Sequence, residues 1–304
     1  MDNVIIFIFS YNRGPHLKNC VESIERCASS AEVVVYDDAS NDPETQAILQ
    51  DIARRHEVRI IHDKKSVNAH GSLYTNMQHA ISSIEDDKII FFLQDDTQLI
   101  REIRPDDIAF IENYFSNFSD TGFLAPVFQK KIVRKKVLDR FLYNHEKKVY
   151  FCEHVSKKEV AGTYYSDISI TTSKRLKEVD WKFYSGEYEN EVQAKKSFTK
   201  MGYMYAPLAM WLPNAPAYRN KKKGRVFAFA EKINKAGLYP YRDMTESEVE
   251  TMCERPVNAL PIAENHLSIR DKHLTMPWIF HPLHRSRVLR RLEKIENSLK
   301  RIFK

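Results

Sequence analysis

The stretch Lys88–Leu99 reads KIIFFLQDDTQL, and its first half sets the architecture. Ile89 to Leu93 form an unbroken apolar run, too short to span a membrane and too continuous for a strand with one wet face. Such a run suits a strand covered on both faces in a mainly parallel sheet. It stops at Gln94, and two adjacent carboxylates follow, Asp95 and Asp96. In open α/β sheets ligands bind outside the carboxyl ends of the strands. Neighbouring strand side chains point opposite ways, but where a strand breaks into a turn one carboxylate can reach a divalent metal and the other a sugar hydroxyl. A solvated turn that merely ends the strand is the plainer reading of the same two residues.

The flanking chain repeats the pattern. Val4–Phe9 (VIIFIF) predicts a strand, Ser10 to Gly14 its loop, and Pro15 the first turn of a helix to about Cys27 with Leu17, Val21 and Ile24 on one face. Glu32–Tyr36 predicts a second strand ending at Asp37-Asp38, and Asn41, Asp42 and Pro43 open a helix to about Arg55. Val58–His62 predicts a third strand, and Asn68-Ala69-His70-Gly71 turns into a helix to about Ile84. Strands alternating with helices mean right-handed βαβ units.

Beyond the Asp pair a helix near Asp107–Phe118 precedes a strand at Gly122–Val127. Residues 128–160 are basic and rich in β-branched and aromatic side chains, which suits a hairpin or flap. Asp167–Thr172 alternates as a strand does, and Ser173 caps a short helix to Val179. A longer helix runs from about Glu187 to Met201, ended by Gly202, and Tyr203–Leu208 reads as a strand. The pattern weakens through 211–280, and 285–304 is a final helix. The expected division is a catalytic domain at 1–210, an extension at 211–280 and a basic amphipathic helix at 281–304.

The chain has 304 residues, 43% hydrophobic and 29% charged, with no internal repeat. Its longest apolar runs are Val4–Phe9 and Ile89–Leu93, so no transmembrane helix is expected. The start has Asp2 and no basic segment before the apolar run, which predicts a strand rather than a signal peptide. Cys20, Cys27, Cys152 and Cys253 include no C-x-x-C pair and read as reduced thiols. The expected location is cytoplasmic. Of 47 Lys and Arg, eight lie in 285–304 against two Glu, leaving 39 basic and 39 acidic residues elsewhere. The net charge of +6 therefore belongs to the tail, and a nucleic-acid-coating protein is excluded.

Ser10, Tyr11, Asn12 and Arg13, together with Asp38, lie at the carboxyl ends of early strands, a crevice suited to a nucleotide. An Asp there can accept from a base N–H or ribose hydroxyls, and backbone N–H groups at a helix start favour phosphate. No G-x-G-x-x-G follows the first strand and no G-x-x-x-x-G-K-[ST] exists, which weighs against NAD and a P-loop.

IIFIFSYNR, then VVYDDASND, then FFLQDDT about 57 residues later, resembles the GT-A glycosyltransferases of family 2 over about residues 3–208. The resemblance implies a GT-A-like mixed sheet flanked by helices, a nucleotide-sugar donor and Mn²⁺ or Mg²⁺. It gives Asp38 the base and ribose contact with Asp37 second, and puts Asn68 and Gly71 in the nucleotide pocket. Asp95 and Asp96 take the metal position, Asp95 also beside the nucleotide. The sequence departs from the family at Leu93, where the first acid of D-x-D would fall.

An inverting transfer needs a carboxylate to take the acceptor hydroxyl's proton. The family places it at the start of the helix before a late strand, and Glu187, Glu189 and Glu191 stand there. Glu187, Glu191, Ala194, Phe198 and Met201 share one helical stripe, which selects Glu191 first and Glu187 second and leaves Glu189 facing elsewhere. Acids at a helix start also favour the macrodipole without any catalytic role. Tyr164, Tyr165 and Asp167 fall at acceptor-side positions. The family's metal-ligand His has no match at 209–216, with His266 and His273 as substitutes, and Lys221–Lys223 with Arg225 form a basic loop.

The expected reaction is sugar transfer from a nucleotide sugar, UDP-linked by preference, to a glycan or lipid-linked glycan hydroxyl with inversion. Polysaccharide or glycoconjugate assembly is the setting. A non-catalytic nucleotide-sugar-binding scaffold and a nucleotidyltransferase are the rival readings. In the tail, Val288, Leu292, Ile295, Leu299 and Ile302 recur at helical spacing, with Leu289 and Phe303 widening the stripe. Arg287, Arg290, Arg291, Lys294, Arg301 and Lys304 crowd the rest. That pattern predicts peripheral attachment to an anionic membrane surface, on the inner face, against a short coiled coil or packing on the chain's own domain.

Overall fold

The computed structural model describes residues 3–61, 72–131, 137–153, 162–216, 223–270 and 282–302. Asn68, Gly71, Lys221, Lys222 and His273, named above, lie outside them. The amino-terminal half alternates as expected: β1 (Val4–Ser10), α1 (Gly14–Cys27), β2 (Glu32–Asp37), α2 (Pro43–Ile52), β3 (Glu57–Ile60), α3 (Leu73–Ser82) and β4 (Ile89–Gln94). Then follow β5 (Thr97–Leu99), α4 (Pro105–Asn117), β6 (Leu124–Ala125), the hairpin β7 (Phe141–Asn144) and β8 (Val149–Cys152), and β9 (Ser169–Thr172). The rest comprises α5 (Ser173–Glu178), α6 (Glu187–Ser197), β10 (Gly202–Met204), β11 (Ala209–Trp211), α7 (Arg225–Ile233), α8 (Glu246–Cys253), α9 (Ala263–His266) and α10 (Arg287–Ile302).

Nine strands form one sheet in the order β3-β2-β1-β4-β9-β6-β10-β8-β7. β3, β2, β1 and β4 run parallel, β9 is antiparallel between β4 and β6, and the β7–β8 hairpin closes the far edge. This is the expected α/β class: a mixed, mainly parallel sheet between helices. β1 and β4 are its centre, and Val4 to Phe9 and Ile89 to Leu93 are all buried. A fully buried side chain of this size contributes about 1.5–3 kcal/mol. That is why uninterrupted apolar runs, and no polar alternation, are found here.

Three observations revise the expected elements. α6 stops at Ser197, with Phe198 as its extended cap, and Gly202 begins β10 instead of ending the helix. Gly122 has no room for a side chain, because a Cβ would meet the Phe198 ring at 2.1 Å. Finally, β5 and β11 pair with each other as a separate antiparallel ribbon, a pairing the sequence does not announce.

A second core joins Ile100, Phe128, Met210 and Leu212 to Tyr241, Val249, Met252 and Leu267. It therefore spans residues on both sides of position 211. At the carboxyl end α10 packs on α7, and Glu296 accepts from the backbone N–H groups of Arg225 (2.8 Å) and Val226 (3.0 Å) at the start of α7. The four cysteines are free thiols, three of them buried. No helix among the described residues is long and apolar enough to cross a membrane.

Candidate active site

β1, β2 and β3 succeed one another outward, and β4 returns to the other side of β1, so the strand order reverses between β1 and β4. Loops leaving two such strands diverge and open a crevice at their carboxyl ends. The loop after β1 carries Ser10 to Arg13, and the turn after β4 carries Asp95 and Asp96. The Asp95 N–H donates to Phe9 O at 3.0 Å, so the acidic turn is fastened to β1.

Both carboxylates are buried. Arg13 spans them: Nη2 donates to Asp95 Oδ1, and Nη1 donates to Asp96 Oδ2 at 3.1 Å and to Pro216 O at 3.3 Å. The Ser10 hydroxyl donates to Asp95 Oδ2 at 3.3 Å. Burial and the neighbouring Asp96 push the Asp95 carboxyl above the usual range, against the opposing pull of Arg13. Asp96 Oδ1 is buried and has no hydrogen-bond partner among the described residues, nor has Arg13 Nε. Leu93, where the resemblance would put a further acid, is core.

The loops after β1 and β2 are tied to each other by polar side chains. Asn12, in the left-handed region at φ 51°, accepts through Oδ1 from the N–H groups of Asn41 (2.9 Å) and Asp42 (3.0 Å). Its own N–H donates to Ser40 Oγ, which in turn donates to Asp37 Oδ2 at 2.6 Å. Asp37 also accepts from the Ser40 N–H at 2.6 Å. Asn12, Asp37 and Ser10 are therefore buried in the framework that joins the two loops. Asp38 is half-buried at the end of β2, accepting from the Ser72 N–H at 3.2 Å, and Tyr11 is half-buried in the loop after β1.

Glu191 is enclosed more completely still. It is fully buried, and its carboxylate accepts from the N–H groups of Thr163 (3.0 Å), Tyr164 (2.9 Å) and Tyr165 (2.7 Å). Burial pushes its pKa up to about 7, against those three donors. A carboxylate that accepts from three successive backbone N–H groups ties α6 to the loop at residues 163–165. Glu187 opens α6 and is half-buried, close enough for its charge to bear on Tyr74 and Tyr165. Asp167 accepts from the Tyr74 hydroxyl at 2.7 Å and from Gln94 Nε2 at 3.4 Å, which links it to the residue before the acidic pair.

Two residues escaped the sequence reading. Trp211 pairs with Thr97 across the β5–β11 ribbon, one residue beyond Asp96, and Lys130 is buried with Nζ 5.5 Å from the Trp211 ring centre. The Leu212 N–H donates to Asp96 O at 2.7 Å, so this ribbon brings an aromatic ring and a cation beside the acidic turn. His266 instead lies beside Phe128 of the second core, with the ring centres 6.0 Å apart and the rings tilted by 48°. Among the described residues no three His, Cys, Asp or Glu converge as a metal-ligand group.

Residues 5–116, which contain β1 to β4 and both acidic turns, match the family model described as glycosyl transferase family 2. The chain thus carries a region similar to the family 2 glycosyl transferases. Among solved structures, TarS of S. aureus is 15% identical, with 82% of this chain and 42% of TarS covered and a TM-score of 0.46. TarS 1–349 in complex with UDP is also 15% identical, covering 83% and 69%, at a TM-score of 0.45. The mannosyltransferase PcManGT from Pyrobaculum calidifontis, in complex with GDP-Man and Mn²⁺, is 14% identical, covering 77% and 61%, at 0.45. This chain spans less than half the length of full TarS. No curated protein matches it. The transferase region and the strand-order reversal coincide: the matched residues are those that build the crevice.

Proposed function

We propose that this chain transfers a sugar from a nucleotide-sugar donor, UDP-linked by preference, to a glycan or lipid-linked glycan hydroxyl with inversion. The observation that carries the proposal is the buried Asp95–Asp96 pair at the end of β4, placed at the strand-order reversal opposite Asp38. Asp38, with an oxygen directed at a backbone N–H of the neighbouring loop, and Tyr11 are the side chains suited to base and ribose. Arg13 is suited to the diphosphate, since a guanidinium matches phosphate oxygens bidentately.

The residues fit a hard divalent cation: carboxylate oxygens are its preferred ligands, and the buried, unpartnered Asp96 Oδ1 is a donor atom awaiting one. Asp95 and Asp96 would hold Mn²⁺ or Mg²⁺, which when bound supplies counter-charge for the leaving diphosphate. Glu187 takes the acceptor's proton in this scheme, its half-buried carboxylate at the start of α6 replacing the inward Glu191. Tyr74 and Gln94 hold Asp167 at the acceptor side. Fixing both reactants in line supplies much of the remaining rate.

The setting proposed is polysaccharide or glycoconjugate assembly at an anionic membrane surface. Supporting it, α10 leaves Val288, Leu292, Ile295 and Leu299 between 44% and 64% exposed, while its acidic residue Glu296 is turned onto α7. About half of the surface of these four side chains thus stays open to solvent, and exposed Arg287, Arg290, Arg291 and Lys294 accompany them. The decisive test incubates the chain with a panel of nucleotide sugars and Mn²⁺ and follows nucleotide release. Release of UDP from one or more UDP-sugars, slowed about a hundredfold by Asp95→Asn with Asp96→Asn, is the expected result. Binding without turnover of any donor would leave the scaffold reading instead.

A further inference from the structure

We infer that Arg13 competes with a divalent cation for the Asp95–Asp96 pair, and that this competition makes metal loading depend on the nucleotide diphosphate. The inference rests on the reading of the pair given above. Its grounds are geometric. Arg13 closes the crevice with one nitrogen on each carboxylate, and so engages two of the four oxygens a chelated ion would draw on. Ser10 takes a third, leaving only Asp96 Oδ1 without a partner. With Leu93 in the core at the further acid's expected place, no other carboxylate of β4 makes up the loss.

The closed position is also incompletely satisfied. All of the guanidinium's hydrogen bonds are made by its two terminal nitrogens, and Nε is buried with no acceptor. A buried donor without an acceptor favours any move that supplies one. A diphosphate offers several oxygens in the geometry that an arginine fork prefers. Its arrival draws Arg13 off the carboxylates, and the oxygens so uncovered take the cation. Since coupling between two ligands is reciprocal, the cation must tighten nucleotide binding by the same factor that nucleotide tightens the cation.

The experiment is Mn²⁺ binding by the full-length chain, read from the loss of the free-ion paramagnetic resonance signal, with and without UDP. The wild-type chain is expected to bind Mn²⁺ weakly alone and at least about tenfold more tightly with UDP, the lower end of usual couplings. Arg13→Gln is expected to bind Mn²⁺ about tenfold or more tighter than wild type without UDP, with little further gain on adding it. Arg13→Lys, which keeps the charge without the fork, serves if the Gln variant does not fold and should lie between. Equal or weaker Mn²⁺ binding in the Arg13 variants overturns the competition. If Asp95→Asn with Asp96→Asn binds Mn²⁺ as the wild type does, the metal reading of the pair itself fails, which is a separate result.

Discussion

Glu191 and Glu187 sit one helical turn apart on α6, yet their surroundings divide them sharply. Glu191→Gln is expected to keep turnover while lowering the melting temperature, because an amide cannot accept from all three N–H groups of Thr163, Tyr164 and Tyr165. An unpaired buried donor costs about 1–3 kcal/mol. Glu187→Gln is expected to leave the fold intact and reduce turnover by roughly 10²–10⁴-fold, the usual share of a general base. Steady-state rates and melts on both variants check this, and full activity in Glu187→Gln would move the base to Asp167. For the acidic pair, Asp95→Asn with Asp96→Asn should cost on the order of 3 kcal/mol of transition-state stabilisation, about a hundredfold in rate. His16, one turn along α1 from Arg13, is buried, and burial and the Arg13 charge lower its pKa from 6.5 to about 4. Between those values the folded chain binds fewer protons than the unfolded one. Stability from this source is complete above about pH 6.5 and drains away as pH falls towards 4, on the order of 2–3 kcal/mol. Urea midpoints at pH 7.5 and 5 should show the loss in wild type and a smaller one in His16→Asn.

At the scale of elements, β1, β2 and β4 were legible because a strand covered on both faces must be apolar throughout. β5 and β11 were not, since three residues cannot display a period and their partner lies far away in the chain. The same limit hid Trp211. The expected stripe of Glu187, Glu191, Ala194, Phe198 and Met201 runs past the helix, which stops at Ser197; within it Glu191 and Ala194 are buried, and the spacing could not convey that backbone donors at 163–165 wait beneath the acid. Arg13 was legible as a cation in the loop after β1 but not as the bridge between Asp95 and Asp96, which depends on how far apart two loops come to rest. The α10 prediction belongs here. Leu292→Ser with Ile295→Ser should abolish flotation of the full-length chain with vesicles containing anionic phosphatidylserine while leaving its melting temperature unchanged, since both side chains are exposed. Basic residues each add about 1 kcal/mol near such a surface, so neutral vesicles should bind less. Unchanged flotation in the double variant, or none by wild type, rejects attachment through this helix.

The molecule as a whole does not divide at residue 210 as cleanly as its pattern suggests. Ile100, Phe128 and Met210 are covered by Tyr241, Val249, Met252 and Leu267, and Gln98 is tied to Tyr241 in both directions: Nε2 donates to its carbonyl at 3.0 Å and Oε1 accepts its N–H at 2.9 Å. A chain ending at residue 210 is expected to lose its cooperative thermal transition and to aggregate, because those three apolar side chains would face water. A melt as sharp as that of the full chain would show the first 210 residues to be self-sufficient. The weak pattern of 211–280 concealed this, as α7, α8 and α9 are short and contribute a few buried residues each to a core whose other half is supplied from upstream.

The ribbon of β5 and β11 has a bearing on the order in which the protein is made. Synthesis delivers the β4 turn early, while Leu212, whose N–H holds the Asp96 carbonyl, and Tyr241, which steadies Gln98, come more than a hundred residues later. Until that second instalment leaves the ribosome, two acids stand at the tip of a nearly finished sheet without the segment that fixes their turn. A product that ends before Leu212 therefore carries the strands that wall the crevice but lacks the N–H that holds the Asp96 carbonyl.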